Sequence, residues 1–339
     1  MSGGGGVNGK RPGMTDVARL AGVSHQTVSR VLNEHASVRP ATRERVLAAI
    51  EQLGYRRNLS ARALVTRRSG MLGIVASGSS RSGPAGTLGA LEQAARAAGY
   101  FVTVAIAPDP EPAAHAEIAD AFVEQGVEGV VAIAPTPGVA EIAEAVSAQV
   151  PVLVVSAWDP PDGVATISVD QRGGAALAAQ HLLDLGHTDV VHVSGPPDWY
   201  DATARIAGWH IALDAAGVTP RPSLVGDWSS ERGYELGREL LDDLPTAVFA
   251  ANDLTALGIL RAFAEAGIRV PQDISVIGFD DFEGAANYYP PLTTVRQDLR
   301  ALGAAALGSL VEVIAGGTAL PRRLQPTLVE RSSAAAPRS

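Results

Sequence analysis

His25, Gln26, Thr27, Ser29, Arg30 and Asn33 gather imidazole, amide, hydroxyl and guanidinium groups into one short stretch. Such groups exchange hydrogen bonds with base edges and phosphates. They form one surface only if a helix presents them together. Val17, Ala18 and Ala21 recur at helical spacing, which predicts a first helix starting near Thr15, whose hydroxyl would cap it. Gly22 is the turn residue, tolerant of positive φ. Ser24 then caps a second helix and puts His25, Gln26 and Thr27 in its first turn. Val23, Val28 and Val31 pin that helix to the first and leave Ser29, Arg30 and Asn33 polar. In a helix-turn-helix the first turn of the second helix meets base edges in the major groove. A helical hairpin on an ordinary protein surface would share this spacing.

Charge favours the nucleic-acid reading. Residues 1–68 hold 12 Lys or Arg against 4 Asp or Glu, a net of +8, in a chain whose net charge is −9. The remainder therefore carries −17. A basic head on an acidic body is the electrostatic footprint of a DNA-binding domain joined to a different module. Residues 1–13 read as a disordered, Gly-rich basic arm with Lys10 and Arg11. Pro40 opens a third helix over about 40–54, with Val46, Leu47 and Ile50 inward, Arg43 and Arg45 outward, and Gly54 as its stop. The segment 58–69 is basic and helix-permissive, but too short to be a stable helix alone in water. It predicts a linker that folds on binding, although a plain flexible linker has the same composition.

From Met71 the pattern alternates between apolar strands and helices. Strands are expected near 72–76, 101–105, 129–133 and 152–155, then, after a loop at 158–163, near 166–169, 189–193, 247–250 and 274–279. Helices fall near 87–98, 112–125, 139–148, 171–185, 202–216, 230–243 and 254–266. Continuous apolar strands between helices predict parallel sheets covered on both faces, and two successive sets predict two doubly wound lobes. Ligands of such sheets sit beyond the carboxyl ends of the strands, here in the cleft between lobes. Ser77, Asp227-Trp228-Ser229, Asn252-Asp253 and Asp280-Asp281 follow those strands, and Arg205 lies early in a helix. Amides, carboxylates, an Arg and a Trp suit a polyol, because planar polar groups take paired hydroxyls and an aromatic face covers a sugar ring. Taken singly, each could be a helix cap or a surface ion pair.

Several classes fall away. At 339 residues and 46% hydrophobic content the chain can bury two or three cores. It has no cysteine, so disulfides and thiolate metal sites are excluded, as suits a reducing cytoplasm. No apolar signal segment opens the chain and no stretch is long enough to cross a membrane, so a cytoplasmic location is expected. No G-x-G-x-x-G follows a strand, no phosphate-binding lysine loop exists, and His115, His181, His187, His192 and His210 lack metal spacing. Acid pairs such as Asp242-Asp243 and Asp280-Asp281 are more simply solvated or structural than catalytic. The expectation is therefore no enzyme and no cofactor. An exported sugar-binding protein would share the two-lobed body but need an export signal and no helix-turn-helix.

The residues that carry a likeness are Asp16-Val17-Ala18, Gly22-Val23-Ser24, Thr27-Val28-Ser29-Arg30-Val31-Leu32-Asn33, Leu53-Gly54-Tyr55 and Ala61-Arg62-Ala63-Leu64. Further on come Leu185-Gly186-His187, Ala207-Gly208-Trp209, Ala250-Ala251-Asn252-Asp253, Ile277-Gly278-Phe279-Asp280-Asp281 and Pro290-Pro291-Leu292-Thr293-Thr294-Val295. Over nearly its full length the chain resembles the lactose-repressor (LacI/GalR) family of bacterial transcription regulators, with several motifs near the family's namesake. The resemblance implies an α/β chain: a three-helix helix-turn-helix domain (14–57) with a hinge helix (58–69), then a periplasmic-binding-protein-like core (70–334) of two doubly wound parallel sheets. Lobe 1 would span about 70–166 and 297–325, lobe 2 about 167–296 and 326–334, with a tail at 335–339. It implies base reading by His25, Gln26 and Arg30, phosphate contacts by Thr27, Ser29 and Asn33, and a hinge with Asn58 and Ala61 that inserts Leu64 into the minor groove. It implies effector contacts by Ser77, Arg205, Trp228, Asn252, Asp280 and Gln297.

Departures accompany the likeness. Where the namesake has an effector-contacting Asp and two Phe residues, this chain has Ser156, Ser168 and Leu299. A galactoside is therefore in doubt, and another sugar is expected. Asp170 fits the pattern of an acid at a helix start and could be only a cap. Arg331–Ser339 is too short for a heptad coil, so a homodimer is expected. The expected partners are double-stranded operator DNA, a small sugar-like effector and a second copy, with no membrane. A purine or other metabolite acting as co-repressor remains an alternative within the same fold.

Overall fold

The computed structural model describes residues 12–32, 35, 37–55, 68–77, 82–107, 112–158 and 164–338. The chain divides into a head within residues 1–69 and a body over residues 70–339. Asn33, Asn58, Ala61 and Leu64, and most of the expected hinge, lie outside the described residues.

In the head, α1 (Met14–Ala21) ends at Gly22, whose φ of 62° needs a residue without Cβ strain. The expected cap at Thr15 is corrected: the helix begins one residue earlier, and the Asp16 carboxylate accepts the Gly13 N–H at 2.9 Å. A carboxylate at this position also faces the positive end of the helix dipole. Helix α2 (His25–Leu32) begins as expected, with Ser24 Oγ accepting the Thr27 N–H at 3.2 Å. Helix α3 (Pro40–Leu53) closes the unit. Val17, Val28 and Val46 are fully buried together, with Tyr55 packed beside them. Leu47 does not point inward: it is 51% exposed, and Ala49 takes the buried position. Arg43 reaches back to donate to the His35 carbonyl at 3.0 Å.

The body holds two sheets. The first has the order β11-β5-β4-β3-β1-β2, from β1 (Met71–Ser77), β2 (Phe101–Ala107), β3 (Gly129–Ile133), β4 (Val152–Val155), β5 (Thr166–Val169) and β11 (Arg322–Leu324). The second has the order β12-β10-β9-β8-β6-β7, from β6 (Val190–Ser194), β7 (Leu224–Val225), β8 (Ala247–Ala250), β9 (Ser275–Asp280), β10 (Thr293–Arg296) and β12 (Thr327–Val329). Each contains the doubly wound order 2-1-3-4-5 in its own strands. Pairing is parallel except where β12 runs antiparallel to β10. Helices α4 (Ser82–Ala97), α5 (Pro112–Glu124), α6 (Pro137–Ser147) and α11 (Leu299–Ile314) belong with the first sheet. Helices α7 (Gln171–Asp184), α8 (Tyr200–Ala215), α9 (Ser230–Glu239) and α10 (Asp253–Glu265) belong with the second.

The chain passes between the lobes three times, after β5, after β10 and between β11 and β12. The first passage corrects an expected boundary. Strand β5 hydrogen-bonds β4, so it belongs to the first sheet, and the crossing falls at Asp170 rather than near 166. Asp170 itself caps α7, accepting the Gly173 N–H at 2.8 Å. The segment from Arg331 is stitched along the second sheet, where Ser333 Oγ donates to Val276 O at 2.6 Å and accepts the Thr293 N–H at 2.8 Å.

Candidate functional site

On α2 the side chains divide by period. Val28 and Val31 are buried against α1 and α3, whereas His25, Gln26 and Arg30 are exposed and Thr27 and Ser29 half-buried. Gln26 and Arg30 stand one turn apart on the same face. Thr27 is held by Ser24, hydroxyl to hydroxyl at 2.9 Å. The helix thus presents an amide, a guanidinium and an imidazole from a rigid hydrophobic seat. That arrangement can read paired donors and acceptors on a base edge.

In the body, the doubly wound order reverses between β1 and β3 in the first sheet and between β6 and β8 in the second, which marks where ligands bind. The expected residues stand at those strand ends. Ser77 closes β1, Asn252 caps α10 after β8, Asp280 closes β9, Trp228 follows β7, Gln297 follows β10, and Arg205 lies on the second turn of α8 after β6.

Three of these side chains, Arg205, Asp280 and Gln297, form a closed ring with Gln171. Arg205 Nε donates to Gln171 Oε1 at 2.9 Å, Gln171 Nε2 donates to Gln297 Oε1 at 2.7 Å, and Gln297 Nε2 donates to Asp280 Oδ1 at 2.7 Å. Arg205 Nη2 closes it, 3.6 Å from Asp280 Oδ1. Arg205 is 3% exposed, and its Nη1 also donates to the Ala251 carbonyl. Its guanidinium lies over Phe279, 3.8 Å from the ring centroid, with Trp228 on another side at 5.3 Å. The ring pairs one cation with one carboxylate.

Trp228 and Asp280 have positive φ values of 72° and 110°. Such backbone in a non-glycine residue costs about 1–3 kcal/mol and persists where the surroundings over-determine it. Here Asn252 Nδ2 donates to the Trp228 carbonyl at 3.1 Å while its Oδ1 accepts the Thr255 N–H at 2.9 Å. Asn252 is thus both helix cap and Trp228 anchor. Behind the ring, burial first and then the nearby Asp280 carboxylate push the Asp253 carboxyl up to about 8. It accepts from the Thr294 hydroxyl at 2.5 Å and the Phe282 N–H at 2.9 Å. Asp281 faces away into an ion pair with Arg296 and Arg331, each at 2.6 Å.

Among the described residues, three buried polar atoms beyond the strand ends have no partner: Ser77 Oγ, Thr136 Oγ1 and Trp228 Nε1. Unpaired buried donors and acceptors are rare in folded proteins. Sequence reasoning missed Thr136, Gln171 and Asp201. Thr136 follows β3 and shows only as a residue before a proline. Gln171 follows an acid that reads as a cap. Asp201 precedes Arg205 by one helical turn, a spacing that also describes any surface ion pair. Ser156 and Ser168 are buried, and Ser156 Oγ accepts the Trp158 N–H at 3.1 Å.

Comparison with known proteins follows this division. Residues 13–58 match the model of bacterial regulatory proteins of the lacI family, and residues 179–334 match a periplasmic binding protein-like domain. The lactose operon repressor of Escherichia coli (strain K12) is 35% identical over 326 residues, covering 95% of this chain and 90% of that protein. The crystal structure of the lac repressor dimer bound to operator and an anti-inducer covers 96% of this chain and 100% of its own, with 33% identity and a TM-score of 0.85. A complex of the regulator CelR with cellobiose covers 95% of this chain and 100% of its own, with 31% identity and a TM-score of 0.71. Among the described residues no helix is long and apolar enough to cross a membrane. Because the likeness runs through head and body alike, the chain belongs to the lacI family of bacterial regulatory proteins.

Proposed function

We propose that this protein is a DNA-binding transcriptional repressor whose operator affinity is set by a small neutral sugar held between the two lobes. His25, Gln26 and Arg30 read bases, and Thr27, Ser29 and Asn33 contact phosphates. Asn58, Ala61 and Leu64 act from the hinge, with Leu64 as a minor-groove wedge. Ser77, Arg205, Trp228, Asn252, Asp280 and Gln297 hold the effector. The observation that carries this reading is the closed ring of Arg205, Gln171, Gln297 and Asp280. It joins a neutral polar site to two of the three passages between the lobes, so a ligand that redraws the ring also re-poses the lobes.

The protein works as a homodimer in this reading, matching the two-fold symmetry of a pseudo-palindromic operator. Phe101, Val104 and Ile106 on the edge strand β2 are exposed apolar residues, a surface that a second copy would cover. Coupling between effector and operator is typically about 1–3 kcal/mol.

The test selects an operator from a random duplex pool and follows its release by fluorescence anisotropy while sugars are titrated. One sugar is expected to weaken operator binding, and Arg205→Ala is expected to abolish that response while leaving operator affinity in place. A sugar response that survives in Arg205→Ala would remove the cleft from this reading. A purine base acting in place of every sugar would replace the sugar.

A further inference from the structure

Resting on the reading of the cleft as a sugar site, we propose that it holds at least two sugar rings: an inner one at Arg205 and Asp280, and an outer one against Trp199. The effector is then a neutral oligosaccharide rather than a monosaccharide.

The aromatic residues carry the argument. The chain has four tryptophans. Trp209 lies in the core of the second lobe, while Trp158, Trp199 and Trp228 all stand beyond carboxyl ends of strands, with Tyr200 beside Trp199. Trp228 is buried; Trp199 is half-exposed and meets it edge-to-face, centroids 5.5 Å apart at 61°. An edge-to-face pair spends an edge of one indole rather than both faces, so aromatic surface continues outward from the buried ring to the rim. Trp158 of the first lobe stacks on Tyr200 of the second at 6.1 Å, and the Tyr200 N–H donates to the Pro135 carbonyl at 2.9 Å. The rim beside Trp199 is therefore bridged between lobes and already built.

A second observation concerns the polar groups along that surface. Asp201 lies one turn before Arg205 on α8 and is half-buried. Burial raises its pKa, with Arg205 opposing the shift. Among the described residues the buried Trp228 Nε1 has no acceptor, and the exposed Asp198 precedes Trp199 in the chain. Carboxylates beside an indole suit the hydroxyl edges and apolar faces of a pyranose. A bare aryl substituent would use the indole and leave the carboxylates without donors. The paired Arg205 and the acidic rim disfavour sugar phosphates and uronates.

The experiment titrates the full chain by calorimetry with glucose, galactose, mannose and xylose, with α- and β-linked disaccharides of these, and with phenyl glycosides. The expected result is that a disaccharide binds at least about tenfold tighter than its component monosaccharides, or about 1.4 kcal/mol. Trp199→Ala should cost the disaccharide at least about tenfold more affinity than it costs the monosaccharides, and Trp199→Phe should retain part of that difference. Operator binding and thermal midpoint verify that the variants fold. Equal affinity for one and two rings, or disaccharide binding indifferent to Trp199→Ala, overturns the outer subsite while the inner site stands. A phenyl glycoside matching the best disaccharide overturns the second sugar ring. Sugar binding unchanged by Arg205→Ala overturns the inner site, and no binding by any sugar overturns both.

Discussion

Gln171 and Gln297 lie 126 positions apart, yet the amide of one donates to the carbonyl oxygen of the other at 2.7 Å. Each stands where the chain passes from one lobe to the other, and each also touches a charged member of the site: Gln171 accepts from Arg205, and Gln297 donates to Asp280. Gln171→Leu should leave the Arg205 Nε–H and one side of Gln297 without partners. Loss of a buried hydrogen bond to a charged group costs about 1.5–3 kcal/mol. Effector affinity measured by calorimetry should fall by that amount. Unaltered affinity in this variant would show that the ring does not position Arg205.

Base reading by α2 makes a prediction in two parts. Gln26→Ala and Arg30→Ala should each cost about 1–3 kcal/mol in discrimination against mismatched operators, with little change on random DNA. Operator affinity should also fall steeply with salt, since phosphate contacts release counterions. Anisotropy titrations on matched and mutated duplexes at several salt concentrations measure both. Equal losses on specific and random DNA would reassign these two side chains to the backbone.

Gly195 permits the placement of Trp228. A Cβ at this position would lie inside the Trp228 indole. Gly195→Ala should therefore displace the ring, abolish the effector response and quench-shift the tryptophan emission, while the head retains its operator binding. An intact sugar response in Gly195→Ala would mean that Trp228 does not cover the ligand.

His192 sets a pH dependence. It lies fully buried between Phe249, at 4.8 Å, and Trp209, at 5.7 Å, and among the described residues neither ring nitrogen has a partner. Burial first, then the charges of Arg205 and His210, hold its pKa down to about 3 against the ordinary 6.5. The folded protein keeps it neutral, whereas the unfolded chain takes a proton below pH 6.5. Its contribution is thus full above that value and is lost as the pH falls toward 3. At pH 5 the loss is about 2 kcal/mol. Urea unfolding at pH 7 and pH 5 should show His192→Leu losing less stability between the two than the parent does; identical losses would locate the acid sensitivity elsewhere.

The pattern of apolar runs made the buried strands legible. Strands β3, β4 and β8 fall where apolar residues cluster between turn residues. Beyond residue 280 that signal fades: β10, β11 and β12 are short and carry Thr or Arg, and β11 and β12 pair only at sheet edges. The assignment of β5 depended on which neighbour it hydrogen-bonds, a choice its own residues do not encode. At the site, residues at strand ends could be listed one at a time from the sequence. The ring could not, because its four members come from four separate segments, and Gln171 gives no local sign of a partner so distant.

The lobes are tied by three passages of chain that bond to one another: Gln325 Nε2 lies 3.4 Å from the Asp170 carboxylate, and Gln171 holds Gln297. Two bodies tethered at three neighbouring points resist being pulled apart or slid past one another, and yield most readily to rotation about the hinge, by bending or by torsion. A ligand in the cleft then delivers its work as torque. A molecule that fills the space without twisting the tethers would bind and change nothing downstream. Affinity and response are in that case separate properties of this protein, and its tightest ligand can be a silent one.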